Sequence, residues 1–307
     1  MTTPPPVVRA AWVPRTPDDA FRIFTEEIGA WWPLPTHGIF GDESGGVVFA
    51  DDRVVERSLS GEESVWAEVR VWEPPARLVL SWHPGRDHDD ASEVEVNFHA
   101  DEDGTRVVLE HRGWETFGAD AMGRRRSYVG PNAWGHALDH FADGAESPAD
   151  RSELEALDAA YAMFFAEAET GGFGPAPAGE WTAAEVIAHV ALNDLAMIGV
   201  CQAIVHGRTT TFANERCQDP AVLARWTTAA GDQTGLIDRG RATSRQVVAA
   251  LARLTPEQLA AEVHCRLLHA GAVMLDGPRP WGGVAIETQA EMHLPAHVGQ
   301  LRALRPA

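Results

Sequence analysis

The sequence predicts two domains of different class: an α+β domain over residues 1–145, then an all-α helical bundle over residues 152–307. Three observations carry the prediction. Runs of alternating apolar and polar residues mark the first half, the period-two pattern of strands with one buried face. Helix caps and apolar residues at three- and four-residue spacing mark the second half. Between them residues 143–152, DGAESPADRS, are polar and include Pro148, which reads as a linker.

In the first domain the predicted order is strand, helix, several antiparallel strands and a final helix. The first helix starts at Thr16-Pro17-Asp18-Asp19: a capping hydroxyl, proline in the first turn, and two acids at the positive end of the helix dipole. Phe21, Phe24 and Ile28 then recur at helical spacing. Val94, Val96 and Phe98 share one strand face against Glu93, Glu95 and Asn97; Val107, Leu109 and His111 alternate with Arg106, Val108 and Glu110. Asp103-Gly104 between these runs is a hairpin signal. Trp134, Leu138 and Phe141 form a closing helical stripe.

In the second domain Ser152 with Glu155, Thr182 with Glu185, and Thr255 with Gln258 each fit a capping box. Asp219-Pro220 and Thr255-Pro256 fit a cap followed by proline at the first turn. The first helix carries Leu154, Leu157, Tyr161, Phe164 and Ala168; the second, from Thr182, carries Val186, Val190 and Met197. A third is expected from about Pro220 through Leu223, Trp226, Leu236 and Ile237, and the last over about residues 283–304.

The 307 residues hold 25 basic against 45 acidic side chains, a formal charge of −20 at pH 7. All 25 are arginine, which excludes a lysine Schiff base, a phosphate-loop lysine and a kinase-type lysine. Residues 1–150 hold 28 acids against 13 arginines and residues 151–307 hold 17 against 12, so the acidity belongs mainly to the first domain. Such a surface repels phosphate backbones and anionic lipid, so neither nucleic acid nor a membrane is an expected partner. The opening MTTPPP lacks the basic start and apolar stretch of a signal peptide, and the most apolar stretch, Leu195 to Val205, is short of a membrane span. Cys201, Cys217 and Cys265 are too few and scattered for a disulfide framework or a zinc knuckle; Cys201 and Cys265 read as small core residues of helical stretches. The expected location is cytoplasmic.

One constellation carries chemistry. His189 lies on an apolar stripe, next to Val190 and three positions from Val186. His293 and His297, four apart, project from one helix face about 6 Å apart, on a stripe with Ala290, Leu294 and Leu301. Three interior imidazoles from two helices supply three neutral nitrogen ligands to Zn2+ or a similar divalent ion, and three rather than four leave a position open, the catalytic pattern. An ion so held keeps its double charge and stabilises a bound hydroxide or thiolate. Interior histidines are also ordinary hydrogen-bonded core residues, and the spacing leaves that reading open. Pro295, between the pair, either kinks the helix or marks its start.

The stretch Glu180-Trp181-Thr182 … Glu185-Val186-Ile187-Ala188-His189, with His293-x-x-x-His297-Val298-Gly299-Gln300-Leu301, resembles the DinB-like superfamily, and within it the mycothiol-dependent maleylpyruvate isomerase group, over most of residues 152–305. The resemblance implies a four-helix bundle with His189, His293 and His297 as ligands of a divalent metal, zinc first, nickel or iron as alternatives. It also implies transferase or isomerase chemistry in which the metal activates mycothiol or another small thiol. Over residues 7–143 the match is denser. Phe21-Arg-Ile-Phe24-Thr-Glu-Glu-Ile28-Gly-Ala-Trp31-Trp32-Pro33, Trp66-Ala-Glu-Val69-Arg-Val-Trp72-Glu-Pro74-Pro75, Val94-Glu-Val96-Asn-Phe98, Gly104-Thr105-Arg106 and Glu110-His111-Arg112-Gly113-Trp114 resemble the activator-of-Hsp90-ATPase-like branch of the START-like (SRPBCC) fold. This implies a helix-grip domain, a curved antiparallel sheet around a long C-terminal helix with a cavity between. Members include co-chaperone-like proteins, and the wider fold hosts lipid carriers, cyclases and hydrolases, so fold alone does not name the function.

Trp31, Trp32, Trp66, Trp72, Trp82 and Trp114 either line that cavity for a flat hydrophobic ligand or fill the core of a small domain. His83 and His111 are acid or base candidates without a partner at readable spacing. Arg124-Arg125-Arg126, the one basic cluster, reads as a solvated helix start rather than an anion site. His264 and His269 match no position of the metal motif. The leading expectation is a metal-dependent enzyme that delivers a thiolate to a small hydrophobic electrophile, held with help from the START-like domain, for conjugation or cis–trans isomerisation. The alternatives are a binding module for a small molecule or client protein, without catalysis, and a metal-dependent hydrolase with water in place of the thiol.

Overall fold

The computed structural model describes residues 4–130, 133–146, 154–205, 207–269 and 271–306. The chain divides into two compact units, Met1–Arg57 with Glu63–Ser147, and Ser58–Glu62 with Pro148–Ala307.

The first unit contains β1 (Val7–Val13), α1 (Pro17–Thr25), α2 (Ile28–Trp31), α3 (Leu34–His37), β2 (Ser44–Ala50), β3 (Arg53–Ser58), β4 (Glu63–Glu73), β5 (Arg77–Trp82), β6 (Ser92–Asp101), β7 (Gly104–Arg112), α4 (Ala121–Ser127) and α5 (Trp134–Glu146). Its strands form one curled antiparallel sheet in the order β1-β7-β6-β5-β4-β3-β2, consistent with a helix-grip fold. Register shifts at Val54/Val55 and Val69/Val71 are bulges, which bend the strands and deepen the twist. On β6 and β7, Val94, Val96, Phe98, Val107, Leu109 and His111 are buried. The other face of these strands is an ion-pair ladder: Arg112 meets Glu93 at 2.7 Å and Glu95 at 2.6 Å, and Arg77 meets Glu95 at 2.8 Å. One face therefore packs and the other is solvated, as the alternation predicts. The inner face receives α5, whose Phe141 ring lies 5.3 Å from Phe24 and 5.4 Å from Trp31.

Several local expectations shift. Thr16 caps α1 by accepting from the Asp19 amide at 3.2 Å, but α1 stops at Thr25, so Ile28 opens α2 instead of continuing the stripe of Phe21 and Phe24. The Trp31 indole donates to the Ile23 carbonyl at 2.9 Å and so satisfies one acceptor at the end of α1. The β6–β7 hairpin turns on Glu102 and Asp103, with Asp101 paired to Gly104, one residue earlier than the Asp-Gly signal. Gly104 is required for space: a Cβ there would sit 2.3 Å from the Val13 carbonyl and 2.7 Å from the Trp12 ring. The three arginines at 124–126 end α4 rather than start it, where cations meet the negative end of the dipole. Helix α5 runs to Glu146, so the first four residues of the expected linker are helical. Ser152 and its capping box lie outside the described residues.

The second unit contains α6 (Glu155–Thr170), α7 (Ala183–Val205), β8 (Thr211–Ala213), α8 (Pro220–Ala230), α9 (Gln233–Ala252), α10 (Pro256–Leu259), β9 (Glu262–His269), β10 (Ala272–Pro280), a π-helical segment Gly283–His293, and α11 (Leu294–Ala303). Helix α7 packs on α9, and both α11 and the π segment pack on α6. The capping boxes at Thr182/Glu185 and Thr255/Gln258 form, and Asp219 caps α8. The unit is mainly helical but not all-α, since β8, β9 and β10 make a small sheet in the order β10-β9-β8. Cys265 lies in β9, not in a helix: Val263 and Cys265 face inward between exposed Glu262 and His264. The single helix expected from Pro220 to Ile237 is two, because Gly231 takes φ 79 and Asp232 then caps α9 through the Gly235 amide at 2.8 Å. Helix α7, 23 residues long, is apolar enough to cross a membrane, more than the short run Leu195 to Val205 indicated; 78% of its most apolar window is buried, which makes it a core helix. The last helix is interrupted too. Pro295 cannot donate, and the ladder passes from i−5 to i−4 bonding just ahead of it, where Leu294 donates to the Gln289 carbonyl.

Candidate functional site: a histidine cluster and an aromatic cavity

In the second unit His189 from the middle of α7, His293 at the end of the π segment, and His297 in α11 converge. The His293 Nε2 atom lies 3.1 Å from His189 Nε2 and 3.2 Å from His297 Nε2, and one nitrogen from each ring lies within 4.8 Å of the others. The outer nitrogens fix two tautomers. His189 Nδ1 donates to the Cys217 carbonyl at 2.7 Å, so its Nε2 carries a lone pair. His297 Nδ1 donates to Gln300 Oε1 at 3.0 Å, with the same result. Burial pushes His189 down to about 3, aided by His297. Burial also lowers His293 and His297, with neighbouring imidazoles adding to the effect. Two neutral rings therefore aim lone pairs at His293 Nε2, and the 3.1 and 3.2 Å separations are close to the ~3.3 Å between nitrogens at about 2.0–2.1 Å from a tetrahedral ion. That donor set fits a divalent cation. Trp181, ahead of α7, covers the cluster, its ring 4.7 Å from His189 and stacked 6.3 Å from His297.

The helix core behind the cluster is polar. Asp194, fully buried, accepts from Tyr161 and lies 3.3 Å from Thr243 Oγ1. Gln289 of the π segment donates to Tyr161 and accepts from Asn193, each at 3.4 Å. Desolvation raises the Asp194 carboxyl well above its usual range, which favours its protonated form. Burial pushes Cys201 and Cys217 up to about 12 and raises Cys265, so none of the three supplies a thiolate at neutral pH. His264 instead pairs with Asp276 at 2.8 Å on the β9–β10 surface.

The first unit holds a cavity of about 140 Å³, walled by Trp32, Trp66, Trp82 and Trp134, with Tyr128 and His37 at its polar side. Of the expected lining residues, Trp32, Trp66 and Trp82 face it, while Trp31 and Trp114 are core: Trp31 meets Phe24 at a tilt and Phe141 edge-on, and Trp114 packs 4.0 Å from the His111 ring. Trp72, 45% exposed, lies against Phe21 instead. Trp134, read only as part of a helical stripe, supplies the fourth wall. Glu56, fully buried, was also missed. It accepts from the Ile39 and Phe40 amides at 2.6 and 3.2 Å and from Trp66 Nε1 at 3.1 Å, fastening the loop at the cavity edge. Gly38 leaves room for that carboxylate, since a Cβ would meet its oxygen at 2.6 Å. His111 is not an acid or base. The Trp134 indole donates to its Nδ1 at 2.8 Å, which leaves Nε2–H to donate to Ser92 Oγ at 2.7 Å, and Ser92 passes on to the Trp82 carbonyl. Burial pushes this imidazole down to about 3. His83 is likewise buried, with Nδ1 3.2 Å from the Arg86 carbonyl.

Comparison with curated proteins returns no match. Among solved structures, the chain is similar to the anthrahydroquino-gama-pyrone synthase Txn09 complexed with SUM, at 32% identity over 46% of this chain and 97% of that one, with a TM-score of 0.34. It is similar to CalC, a self-sacrificing resistance protein from Micromonospora echinospora, at 25% identity over 46% and 94% of the two chains, with a TM-score of 0.33. It is also similar to Aha1 from Colwellia psychrerythraea, described as a dimer, at 11% identity over 46% and 96%, with a TM-score of 0.31. The family described as Activator of Hsp90 ATPase homolog 1-like protein matches residues 14–145. Residues 14–145, which hold β2 to β7 and the tryptophan-walled cavity, form an Activator of Hsp90 ATPase homolog 1-like domain.

Proposed function

We propose that the second unit is a metal-dependent enzyme of the DinB-like thiol transferase or isomerase type, with α6, α7, α9 and α11 as its four-helix core. The observation that carries this reading is the convergence of three neutral imidazoles: the outer nitrogens of His189 and His297 are occupied, so their Nε2 lone pairs face inward, and His293 Nε2 lies against both. His189, His293 and His297 would hold a divalent ion, zinc first, and when bound it would supply Lewis-acid activation of a small thiol such as mycothiol. The Cys217 carbonyl and Gln300 orient two of the rings, and Trp181 limits water at the cluster. The reading needs sulfur from a bound thiol, because the protein's own cysteines are held protonated. In the first unit we assign the aromatic cavity to a small hydrophobic molecule.

Elemental mass spectrometry of tag-free protein, grown with supplied zinc, should find close to one transition metal per chain. His293→Ala with His297→Ala should remove it. Protein that stays metal-poor under these conditions sinks the enzyme reading. If metal is bound, candidate electrophiles incubated with and without thiol and followed by mass separate transfer from hydrolysis: products that form without thiol exclude the thiol role.

A further inference from the structure

The polar atoms around the aromatic cavity point to a ligand class. All four indole N–H groups in its wall are spent on the protein: Trp32 on the His37 carbonyl, Trp66 on Glu56, Trp82 on the Tyr128 oxygen, and Trp134 on His111. Ser127, also in the wall, donates to the Arg124 carbonyl at 2.7 Å. Tyr128 differs. Its oxygen accepts from Trp82 at 3.2 Å, so its own hydrogen is left over, at a wall whose other polar side chains are Ser127 and the His37 ring, the latter with Nδ1 2.8 Å from Thr36 Oγ1. Burial raises this phenol above its ordinary value, which keeps the hydrogen in place. An engineered apolar cavity of ~150 Å³ takes up benzene, so a space of about 140 Å³ admits one ring without rearrangement.

We propose that the cavity selects a single-ring aromatic molecule bearing one hydrogen-bond acceptor, a carbonyl or ether oxygen, which takes the Tyr128 hydroxyl hydrogen while the four indoles enclose the ring. This rests on the reading of the cavity as a small-molecule site. The spent indole donors cannot pair with further polar groups, so a polyhydroxylated ligand would bury polar atoms against the indole faces at a cost.

The test compares two probes of nearly equal shape, acetophenone and isopropylbenzene, by calorimetry or protein-observed NMR on the full chain. A cavity without a donor prefers the hydrocarbon by about tenfold or more, because an unpaired carbonyl resists leaving water. With Tyr128 as donor, the ketone should bind at least as tightly as the hydrocarbon. Tyr128→Phe alone would release the Trp82 N–H as a substitute donor, so the informative variant is Tyr128→Phe with Trp82→Phe, in which the preference should invert. Wild-type preference for the hydrocarbon, or a ketone preference that survives in the double variant, overturns the Tyr128 assignment and leaves the cavity reading intact. Binding of neither probe overturns both. The wild-type comparison decides the matter even if the double variant does not fold.

Discussion

At the scale of single residues, the two units bury ionisable groups with opposite consequences. His111 stays neutral in the fold, its pKa near 3 against 6.5 for the free side chain. The unfolded chain therefore binds the extra proton across that interval, so stability falls as pH drops from 6.5 towards 3, by on the order of 4 kcal/mol for this group. Denaturant titrations of wild type and His111→Gln between pH 7 and pH 4 check this; the variant should show a shallower acid loss. Asp194 behaves inversely. Its pKa is raised in the fold, so folding takes up a proton above the free carboxyl's value, and the site costs stability as pH rises past that value. A protonated Asp194 can donate to Thr243, which itself donates to the Gly240 carbonyl at 2.9 Å, while Tyr161 donates to the other oxygen. Asparagine reproduces this pattern without the proton. Asp194→Asn should leave stability at pH 7 unchanged or higher, whereas Asp194→Ala, which strands Tyr161, should cost about 1–3 kcal/mol. Midpoints of urea unfolding distinguish the two.

At the scale of elements, what was legible followed from how local its cause is. The cap at Thr16, the boxes at Thr182 and Thr255 and the alternation of β6 and β7 each rest on contacts within a few residues, and each is present. The β9–β10 hairpin was missed because only Val263 and Cys265 alternate clearly, while His264, Arg266 and Asp276 satisfy one another at the surface. That His189, His293 and His297 lie together was legible from their spacing on interior stripes, but the Cys217 carbonyl that orients His189 arrives from a separate turn 28 residues on, and nothing in the sequence announces it. Trp114 and Trp134 exchange expected roles for the same reason: which of them reaches the cavity depends on the path of the chain after β7. Pro295 is the element-level control point. Pro295→Ala restores a donor at the step from i−5 to i−4 bonding, and should let α-helical bonding extend backward, moving His293 away from His189. Metal affinity should fall about tenfold or more while far-UV circular dichroism stays close to wild type; unchanged affinity would show that the π segment is held by other contacts.

At the scale of the whole molecule, each unit has a core of its own, and the charge is divided unequally between them, with 28 acids against 13 arginines in residues 1–150. A metal bound only by the folded second unit stabilises that unit by about 4 kcal/mol at a thousandfold excess over its dissociation constant. Adding a chelator to metal-loaded protein should therefore lower the unfolding temperature reported by the second unit and leave the first unchanged. Chelation that shifts neither unit would place the bound metal elsewhere. The repulsion among acids in the first unit is screened by salt, so its own transition should rise modestly with ionic strength.

The tryptophan wall of the cavity has an optical consequence. Trp32 lies 5.3 Å from Trp66, 5.9 Å from Trp82 and 5.8 Å from Trp134, and Trp82 and Trp134 are 5.1 Å apart. Chromophores this close share their excitation, so light absorbed by one indole is emitted by whichever of the four lies lowest in energy. A single guest molecule touching any of them would alter the emission of the whole set, which gives the unlabelled protein its own gauge of occupancy.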